Sequence, residues 1–434
     1  MSTRTLIAYA NGSRVGVLRD ENGIWSFEYD RRWASSADAF SLSPALPLEA
    51  TEPIVDGSSD RPVQWFFDNL LPEERMRDVL AREAKLDASD AWALLAYYGR
   101  ESAGALTLLP EEEQESSGGR RPLPFDELEA RIQAMPRHAL TANAPKRMSA
   151  AGAQQKLLVI LTGRTPHYEL FEPEGAEPSM HLLKPDARVY DYPHSAINEF
   201  FCMRLADKLG IDVPHTHLLR VPTPCYVVER FDRRIDERDP AGRPAARIHT
   251  LDAMQLLNKD RAFKYHSARV ESLQLCIEQL RAKARARIAL FRWSVFNVLI
   301  GNADAHLKNL SFFSRPGGYD LAPFYDLVST VVYNTPTYRE FGEKWPACEL
   351  SIPMGNARYF ADLTREDVLT FGEHLGLSRP GATRTLDEML ASVGNDAAAI
   401  RAEINATLHV DGDEARLLDL IERLPLAEMS RALR

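Results

Sequence analysis

Two aspartates and an asparagine in the second half of the chain have the types and order that phosphoryl transfer requires. Asp304 and Asn309 are five residues apart in IGNADAHLKNLSFF (300–313), and Asp326 follows in APFYDLVS (322–329). The first aspartate can accept the proton of an attacking hydroxyl, while the asparagine oxygen and the second aspartate suit Mg²⁺. We therefore predict that Asp304 is the catalytic base and that Asn309 and Asp326 hold the metal.

Phosphoryl transfer from a nucleotide also needs a cation for the phosphates, and candidates lie upstream. Lys184 ends the apolar segment HLLKP, and Glu199 lies in the helical pattern that follows it. Kinases position a strand lysine with a helix glutamate, which predicts that Glu199 positions Lys184. Further upstream, SAAGAQQK (149–156) is a loop of small residues whose N–H groups can approach phosphates closely. The linear order of these pieces is that of a protein-kinase-like fold.

Each of these residues also has an ordinary structural interpretation. A strand lysine and a helix glutamate such as Glu199 are most often exposed, and Asp326 would suit a helix N-cap. A loop of small residues is more often a tight turn. The joint order of these residues favours the catalytic interpretation. The position of Asp304 after an apolar helical pattern also favours it, because burying polar groups there without partners would cost free energy.

The rest of the pattern predicts the elements that position these residues. Alternating runs broken by Asn11-Gly12 and Asn22-Gly23 predict β-hairpins near the N-terminus. The segments KLLVIL, HYELF and HLLKP predict three strands, and AINEFFCMRLADKLG predicts an amphipathic helix that ends at Gly210. The acidic, then Ser/Gly/Arg/Pro-rich stretch 110–124 predicts a mobile loop. After about residue 250 the pattern is mainly helical.

These elements predict an α+β chain with a protein-kinase-like two-lobed fold. A β-rich N-terminal subdomain precedes the kinase lobes, and the C-terminal lobe is mainly helical. We predict four regions: a β-rich subdomain (1–110), a linker with a connecting helix (111–146), a small kinase lobe (147–236) and a helical lobe with the catalytic loop (237–434).

Composition limits the class of protein. The formal net charge of −10 argues against a general nucleic-acid coat, since non-specific binding rests on neutralising phosphates. The four cysteines are scattered and form no C-x-x-C pair, which indicates a reducing compartment and no structural zinc. The N-terminus does not have the pattern of a signal peptide, and no run of about 18 apolar residues indicates a membrane span. We expect a cytoplasmic protein without membrane contact.

The densest basic run, RAKARARIALFR (281–292), has two interpretations. It is either a solvated helix face whose aliphatic stems cover the core, or a contact for nucleic acid. We favour the solvated face.

Taken together, these residues resemble a known family. The chain resembles the HipA family of bacterial serine/threonine protein kinases, the toxins of type II toxin–antitoxin modules. The resemblance covers nearly the whole chain and rests on these segments: SLSPALPL (41–48), FFDNLLPEE (66–74), YGRESAGALTLLP (98–110), MSAAGAQQK (148–156), HLLKP (181–185), NEFFCMRLADKLGIDVP (198–214), VERFDRR (228–234), IGNADAHLKN (300–309) and APFYDLVS (322–329).

The resemblance implies ATP and Mg²⁺ as cofactors, with Asp304 as proton acceptor and Asn309 and Asp326 as metal ligands. It implies that Lys184 contacts the nucleotide phosphates, and that Ser149 is autophosphorylated, which silences the kinase. The implied nucleotide contacts are the phosphate loop Ala151, Gly152, Ala153, Gln154, Gln155 and Lys156, the adenine-facing strand Glu229, Arg230 and Phe231, and the lining residues His306, Leu307, Lys308, Asn309, Tyr325 and Asp326. Gln155 stands where the founding member has glutamate, and we assign it no catalytic role.

The same resemblance implies the biological setting. Family toxins bind a helix-turn-helix antitoxin like HipB, so contact with operator DNA is expected only through that complex. The implied substrate is an aminoacyl-tRNA synthetase such as glutamyl-tRNA synthetase, whose inactivation halts translation and produces growth arrest and persistence. Two alternatives remain open at this point: a small-molecule phosphotransferase, and a catalytically weak co-repressor bound to the antitoxin.

Overall fold

The computed structural model describes residues 3–114, 116–135, 137–148, 154–164, 167–186, 192–235 and 244–434. The chain forms two compact units, each assembled from several segments. The first unit comprises Met1–Pro185, Arg220–Ala262 and Ser311–Ala322, and the second comprises Asp186–Leu219, Phe263–Leu310 and Pro323–Arg434. The four sequence ranges proposed as regions stay a prediction, because the compact units follow spatial contacts rather than chain order.

The first hundred residues form an antiparallel sheet with short helices. In order, the elements are β1 (Thr3–Ala10), β2 (Ser13–Glu21), β3 (Ile24–Tyr29), α1 (Arg31–Ala34), β4 (Ile54–Val55), α2 (Pro62–Asp68), α3 (Glu74–Ala84), α4 (Ala91–Tyr98) and β5 (Leu106–Pro110). The sheet order is β4-β3-β2-β1-β5. Both predicted hairpins are confirmed: Asn11-Gly12 and Asn22-Gly23 have positive φ at all four residues, as two-residue turns of this type require.

A second group of strands and helices follows along the chain. The elements are β6 (Gly119–Pro122), α5 (Phe125–Ala134), β7 (Leu157–Arg164), β8 (His167–Glu174), β9 (His181–Pro185), α6 (Ser195–Lys208), β10 (Thr216–Arg220), β11 (Pro224–Glu229) and β12 (Arg233–Ile235). In the first unit, strands β11, β9, β7, β8 and β6 lie side by side in that order. The three strands predicted from KLLVIL, HYELF and HLLKP are β7, β8 and β9, and the predicted helix is α6.

One part of the predicted mobile loop is instead a strand. Residues 119–122 pair antiparallel with β8, from Gly119 opposite Glu174 to Pro122 opposite Phe171. Two arginines in this short strand explain the difference, because each finds a carboxylate. Arg120 Nε bonds Glu177 at 2.7 Å, and Arg121 pairs with the fully buried Glu172. Local composition predicts a loop, whereas these long-range ion pairs hold an edge strand.

The remaining chain is mainly helical, as predicted. Its elements are β13 (Pro244–Arg247), β14 (Thr250–Asp252), α7 (Ala253–Leu256), α8 (Val270–Gln279), α9 (Lys283–Ile300), β15 (Ser311–Arg315), β16 (Gly318–Leu321), β17 (Glu349–Met354), β18 (Ala357–Tyr359), α10 (Arg365–His374), α11 (Arg379–Thr407), α12 (Gly412–Ile421) and α13 (Ala427–Ala432). A π-helical turn, Glu422–Leu426, joins the last two helices. The α+β class is therefore confirmed.

Helix α9 belongs to the second unit, is largely buried in its second half and leads directly into the predicted catalytic loop. Trp293 and Phe296 are almost fully buried, and the Trp293 ring stacks at 5.9 Å on Phe324, two residues before Asp326. At its other end, the basic face of α9 is exposed, and Lys283 bonds Glu278 at 2.6 Å. This pairing favours the solvated-face interpretation of the basic run.

Among the residues that the structure describes, no helix is both long enough and apolar enough to cross a membrane.

Candidate active site

The predicted catalytic loop begins at a glycine that the local packing requires. Helix α9 ends at Ile300, and Gly301 follows with φ of +66°. A Cβ atom at this position would lie 2.3 Å from Val331 Cγ2 and 2.9 Å from Pro425 Cβ. Glycine is therefore needed both for the left-handed backbone and for the close approach of two neighbouring segments. The chain leaves the helix in one fixed direction.

Uncharged side chains hold the backbone of the loop after Gly301. The Asn302 oxygen accepts a hydrogen bond from the Asp304 N–H at 3.0 Å, and its amide group donates to Asn297 of α9 at 2.8 Å. The Thr330 hydroxyl accepts from the Ala303 N–H at 2.7 Å. Asn297 and Asn302 are both at most 3% exposed. Buried amides must be paired, so these contacts fix the backbone position of Asp304.

The structure brings the predicted base and the predicted metal ligand together on one short loop. The Asn309 amide nitrogen donates to the Asp304 backbone oxygen at 3.0 Å, and the His306 N–H donates to the same oxygen at 2.9 Å. Residues Leu307–Asn309 form a single 3₁₀ turn, so Asn309 is the last residue of that turn. Because the Asn309 amide nitrogen makes this bond, its side-chain oxygen is left outside it, and oxygen is the atom that Mg²⁺ binds.

The carboxylate of Asp304 has a partner that the sequence did not indicate. The Tyr265 hydroxyl donates to Asp304 Oδ1 at 3.0 Å. The Tyr265 ring also lies edge-on to the His306 ring, with centroids 5.0 Å apart. Tyr265 precedes the loop by about forty residues, and no local pattern links the two.

Asp326 adopts a backbone conformation that is rare for its residue type. Its φ is +59°, in the left-handed region. The N-cap interpretation is wrong, because the next helical turn begins only at Val331. The preceding Tyr325 hydroxyl donates to the Lys308 backbone oxygen at 2.8 Å, which ties this segment to the loop of Asn309. A left-handed non-glycine residue costs free energy, and such strain concentrates at functional sites.

Helix α6 contributes a second residue that the sequence did not indicate. The Asn198 side chain is fully buried, donates to the Ser329 carbonyl at 2.9 Å and accepts from the Ser329 N–H at 2.9 Å. It thereby fixes the backbone three residues after Asp326. The neighbouring Glu199 is 5% exposed, so the interpretation of this glutamate as a surface residue is wrong. An asparagine among apolar helix residues was the available signal.

The first unit holds the predicted phosphate-binding lysine and the predicted adenine-facing strand. Lys184 lies on β9 opposite Tyr226 of β11, and its Nζ is 5.8 Å from the Tyr226 ring. Glu229 ends β11 opposite His181. Lys184 belongs to the first unit and Glu199 to the second, and the pairing of these two residues stays a prediction.

Arg230 and Phe231 follow Glu229 and lie in different surroundings. The Arg230 guanidinium group is 8% exposed and bonds Asp232 at 2.7 and 2.9 Å and the Ser179 hydroxyl at 2.9 Å. The Phe231 ring contacts Phe313 edge-on at 5.9 Å. The arginine side chain thus makes internal contacts, and the nucleotide contact expected at Arg230 stays a prediction.

A buried carboxylate organises the surroundings of Arg230. Glu101, fully buried, pairs with four cations, Lys146, Arg230, Arg233 and Arg247, at 2.7 to 3.4 Å, and also accepts from the Ser179 hydroxyl at 2.9 Å. Burial alone would raise the pKa of this carboxyl, but the four cations hold it well below its usual range. We call Glu101 and these four cations the Glu101 cluster.

The predicted phosphate loop falls only partly on described residues. Ser149, Ala151, Gly152 and Ala153 lie outside them. Gln154 is exposed, and Lys156 is half-buried directly before β7. The Gln155 side-chain oxygen accepts a hydrogen bond from the Leu140 N–H at 3.0 Å. The Gln155 side chain therefore bonds the segment upstream of the loop. This contact is structural, and we assign Gln155 no catalytic role.

Comparison with known proteins identifies the family of this chain. Residues 148–397 match the HipA-like C-terminal domain, and residues 6–109 match the HipA N-terminal domain. The first match alone spans more than half of the chain. The chain belongs to the HipA family. A relative named for its activity, the serine/threonine-protein kinase toxin HipA of Shewanella oneidensis, is 33% identical over 351 residues, or 76% of each chain.

Two further similarities extend over almost the full length of this HipA-family chain. The Sinorhizobium fredii protein Y4mE, a putative kinase by name, is 33% identical over 426 residues, which is 95% of each chain. In a solved complex of Shewanella oneidensis HipA, HipB and operator DNA, a chain 27% identical in sequence superimposes with a TM-score of 0.81. That match covers 99% of this chain and 97% of the other.

Proposed function

We propose that this HipA-family chain is an ATP- and Mg²⁺-dependent serine/threonine protein kinase. The observation that carries the proposal is the loop in which the Asn309 amide bonds the Asp304 backbone at 3.0 Å. That bond closes the short loop that carries both side chains, and we assign the Asp304 carboxylate to the proton and the Asn309 side-chain oxygen to the metal. The name of the Shewanella oneidensis relative supports a protein as the phosphoryl acceptor.

The proposed chemical step uses Asp304 as the proton acceptor. The acceptor hydroxyl passes its proton to the Asp304 carboxylate as its oxygen bonds to the γ-phosphorus. The bond between that phosphorus and the β–γ bridging oxygen breaks, and ADP leaves with the bond electrons. Because the loop backbone is already fixed by Asn302 and Thr330, little reorganisation of the base is needed during the step.

The metal and nucleotide contacts follow from the donor types present. The Asn309 and Asp326 oxygens would hold Mg²⁺, which neutralises charge on the phosphates when bound. We assign the phosphates to Lys184 and to the loop 151–156 with Lys156. The adenine would lie at Glu229–Phe231, and His306–Asn309 with Tyr325 would line the remaining nucleotide surface.

The partners and the regulation of the proposed kinase follow the family. The solved complex of the Shewanella oneidensis relative contains HipB and operator DNA, which supports a HipB-like antitoxin as partner and DNA contact through it. We propose an aminoacyl-tRNA synthetase as substrate, with arrest of translation as the result. Autophosphorylation of Ser149 would silence the enzyme, since a phosphate adds about −1.5 to −2 charges beside a loop that must bind ATP phosphates.

The decisive experiment compares wild type with Asp304→Asn. Each protein is incubated with radiolabelled ATP, Mg²⁺ and a cell lysate. The lysate comes from cells in which the gene for the endogenous kinase has been deleted. We expect labelling to fall by about 10²- to 10⁴-fold in the variant, the usual contribution of a general base. Asp207→Asn, an exposed aspartate on α6, is the matched control and should label as wild type does. Equal labelling by wild type and Asp304→Asn would refute the mechanism.

A second experiment tests the metal site. Asn309→Ala removes a proposed ligand, and activity should then require a higher Mg²⁺ concentration than wild type needs. Chelation of Mg²⁺ should abolish turnover in both proteins. An unchanged Mg²⁺ dependence would remove Asn309 from the metal site.

The proposed silencing site has a direct readout. Intact-mass analysis after incubation with ATP should show one added phosphate on wild type and none on Ser149→Ala. Phosphate on both proteins would place the modification elsewhere.

A further inference from the structure

The hydroxyl of Tyr265 touches the side chain on which the proposed chemistry depends. It donates to Asp304 Oδ1 at 3.0 Å, and both residues belong to the second compact unit. A carboxylate has two oxygens and about four acceptor positions, so a bond at Oδ1 does not use up its capacity to accept a proton. Fixing one oxygen also fixes the rotation of the carboxylate about its last torsion, which is otherwise broad.

Tyr265 is itself held in place from several sides. Its ring lies edge-on to His306 at 5.0 Å, and Lys264 Nζ is 4.9 Å from the centroid of the same ring. Two turn hydrogen bonds fix the backbone around it, from the Ala268 N–H to the Tyr265 oxygen at 3.0 Å and from the Ser267 N–H to the Phe263 oxygen at 2.8 Å. A donor that is held in this way can orient the group it bonds.

The position of the ring excludes an ordinary packing role. Tyr265 is 55% exposed, although a tyrosine that serves the core is mostly buried. Removing only its hydroxyl takes away no buried apolar area and opens no cavity. The loss of the hydroxyl should therefore act on Asp304 and leave the stability of the fold unchanged.

We propose that Tyr265 is a positioning residue of the phosphoryl transfer, whose hydroxyl holds Asp304 Oδ1 and thereby orients the carboxylate for proton transfer. This inference rests on the proposed function, because it assigns the base to Asp304. Tyr265 acts through Asp304 and carries no proton in the reaction. We expect its effect in kcat for the protein substrate, because the carboxylate that it orients takes part in the chemical step itself.

The variant Tyr265→Phe keeps the ring and removes the bond. We expect kcat to fall about tenfold, in line with the loss of one hydrogen bond to a charged group, while KM for ATP and the midpoint of thermal unfolding stay unchanged. Phe263→Leu is the control, since Phe263 is an equally exposed aromatic in the same segment, 53% exposed. The control should retain the wild-type kcat.

A double-mutant cycle separates this role from a general structural one. In the Asp304→Asn background, adding Tyr265→Phe should cause no further fall in the residual rate, because the residue acts only through that carboxylate. An additional tenfold loss in that background would overturn the proposal. A rise in kcat for Tyr265→Phe would also overturn it, since the hydroxyl would then be blocking the base.

Failure of the inference is distinguishable from failure of the proposed function. If Asp304→Asn is inactive and Tyr265→Phe matches wild type, the positioning role is refuted and the kinase mechanism stands. If Asp304→Asn matches wild type, the mechanism itself fails.

Discussion

The Glu101 cluster in the first unit and the Asp304 loop in the second hold proposed functional residues by opposite means. In the cluster, one buried carboxylate pairs with four cations, including Arg230 next to the proposed adenine strand. In the loop, neutral amides and hydroxyls fix the backbone of Asp304, with Asn302 and Thr330 as direct partners. Ion pairs hold the Glu101 cluster, and uncharged hydrogen bonds hold the backbone around Asp304.

The difference follows from what each region must do. A fixed charge beside a base shifts the proton affinity of that base. Amides orient a backbone without adding charge. The Glu101 cluster holds the end of a strand rather than a base, so strong ion pairs can fix the backbone there. The predictions below test whether the two regions respond as this contrast requires.

The largest expected effect comes from removing the acid of the cluster. Glu101→Ala leaves four buried cations without their shared carboxylate, and breaking a buried pair in this way costs about 3–5 kcal/mol. Urea denaturation should show this loss of unfolding free energy. Glu113→Ala is the control, because Glu113 pairs with Arg100 at an exposed site, where such pairs contribute about 0–1 kcal/mol. Equal effects of the two substitutions would contradict the contrast between buried and surface pairs.

Two buried carboxyl groups, Glu101 in the first unit and Asp186 at the start of the second, should also differ in the sign of their pH dependence. Burial raises the pKa of Asp186 to about 6, whereas the pKa of Glu101 is well below its usual range. The contribution of Asp186 to stability is therefore present below about pH 4 and is lost as the pH rises through 6. The contribution of Glu101 is complete above about pH 4.5 and is lost as the pH falls below that value.

Asp186→Asn tests this sign. Asparagine can still accept the Ala196 N–H bond, which is 2.7 Å in the wild type, without carrying the buried charge. At pH 7 the variant should be more stable than wild type by about 2–3 kcal/mol, and at pH 4 the difference should be close to zero. Chemical denaturation at the two pH values measures it. A difference that does not change with pH would mean that Asp186 is not destabilising when ionised.

A smaller effect is expected from the neutral network of the second unit. Asn198→Ala removes both side-chain bonds to Ser329, which leaves a buried N–H and a buried carbonyl without these partners. The expected cost is about 1–3 kcal/mol, and it should not depend on salt, because no charge is involved. Asn405→Ala, on the exposed face of α11, should change the stability by less than about 0.5 kcal/mol. A loss in Asn198→Ala that salt relieves would contradict the neutral character of this network.

The smallest effect is expected at the basic face of α9. Glu278→Gln removes the partner of Lys283 at an exposed site, so the unfolding free energy should stay close to that of wild type. Thermal unfolding at low and at physiological salt is the measurement. A larger change would show that the face takes part in the packing of the second unit.

The sequence predicted those parts of the molecule whose signals are local. Asn11-Gly12 and Asn22-Gly23 predicted hairpins because two-residue turns need positive φ at both positions. The spacing of Asp304 and Asn309 predicted a shared loop, and the structure closes that loop with a bond between them. Local periodicity likewise predicted α6 and the strands β7 to β9.

The sequence did not predict residues whose partners lie far away along the chain. Tyr265 meets Asp304 across 39 positions, and Asn198 meets Ser329 across 131. Strand β6 forms in a stretch of loop-like composition because carboxylates more than fifty residues downstream pair with its arginines. Such contacts depend on tertiary structure, and local sequence patterns do not indicate which distant residue will be the partner.

The position of Glu101 limits how this chain can be divided. Glu101 lies inside the segment that matches the HipA N-terminal domain, residues 6–109, whereas its four cationic partners all lie after residue 109. A fragment that ends near residue 110 would contain Glu101 without its four cationic partners. A fragment that begins near residue 147 would contain the three arginines of the cluster without Glu101. The two matched domains therefore share one set of charges, and any truncation that separates them cuts through that set.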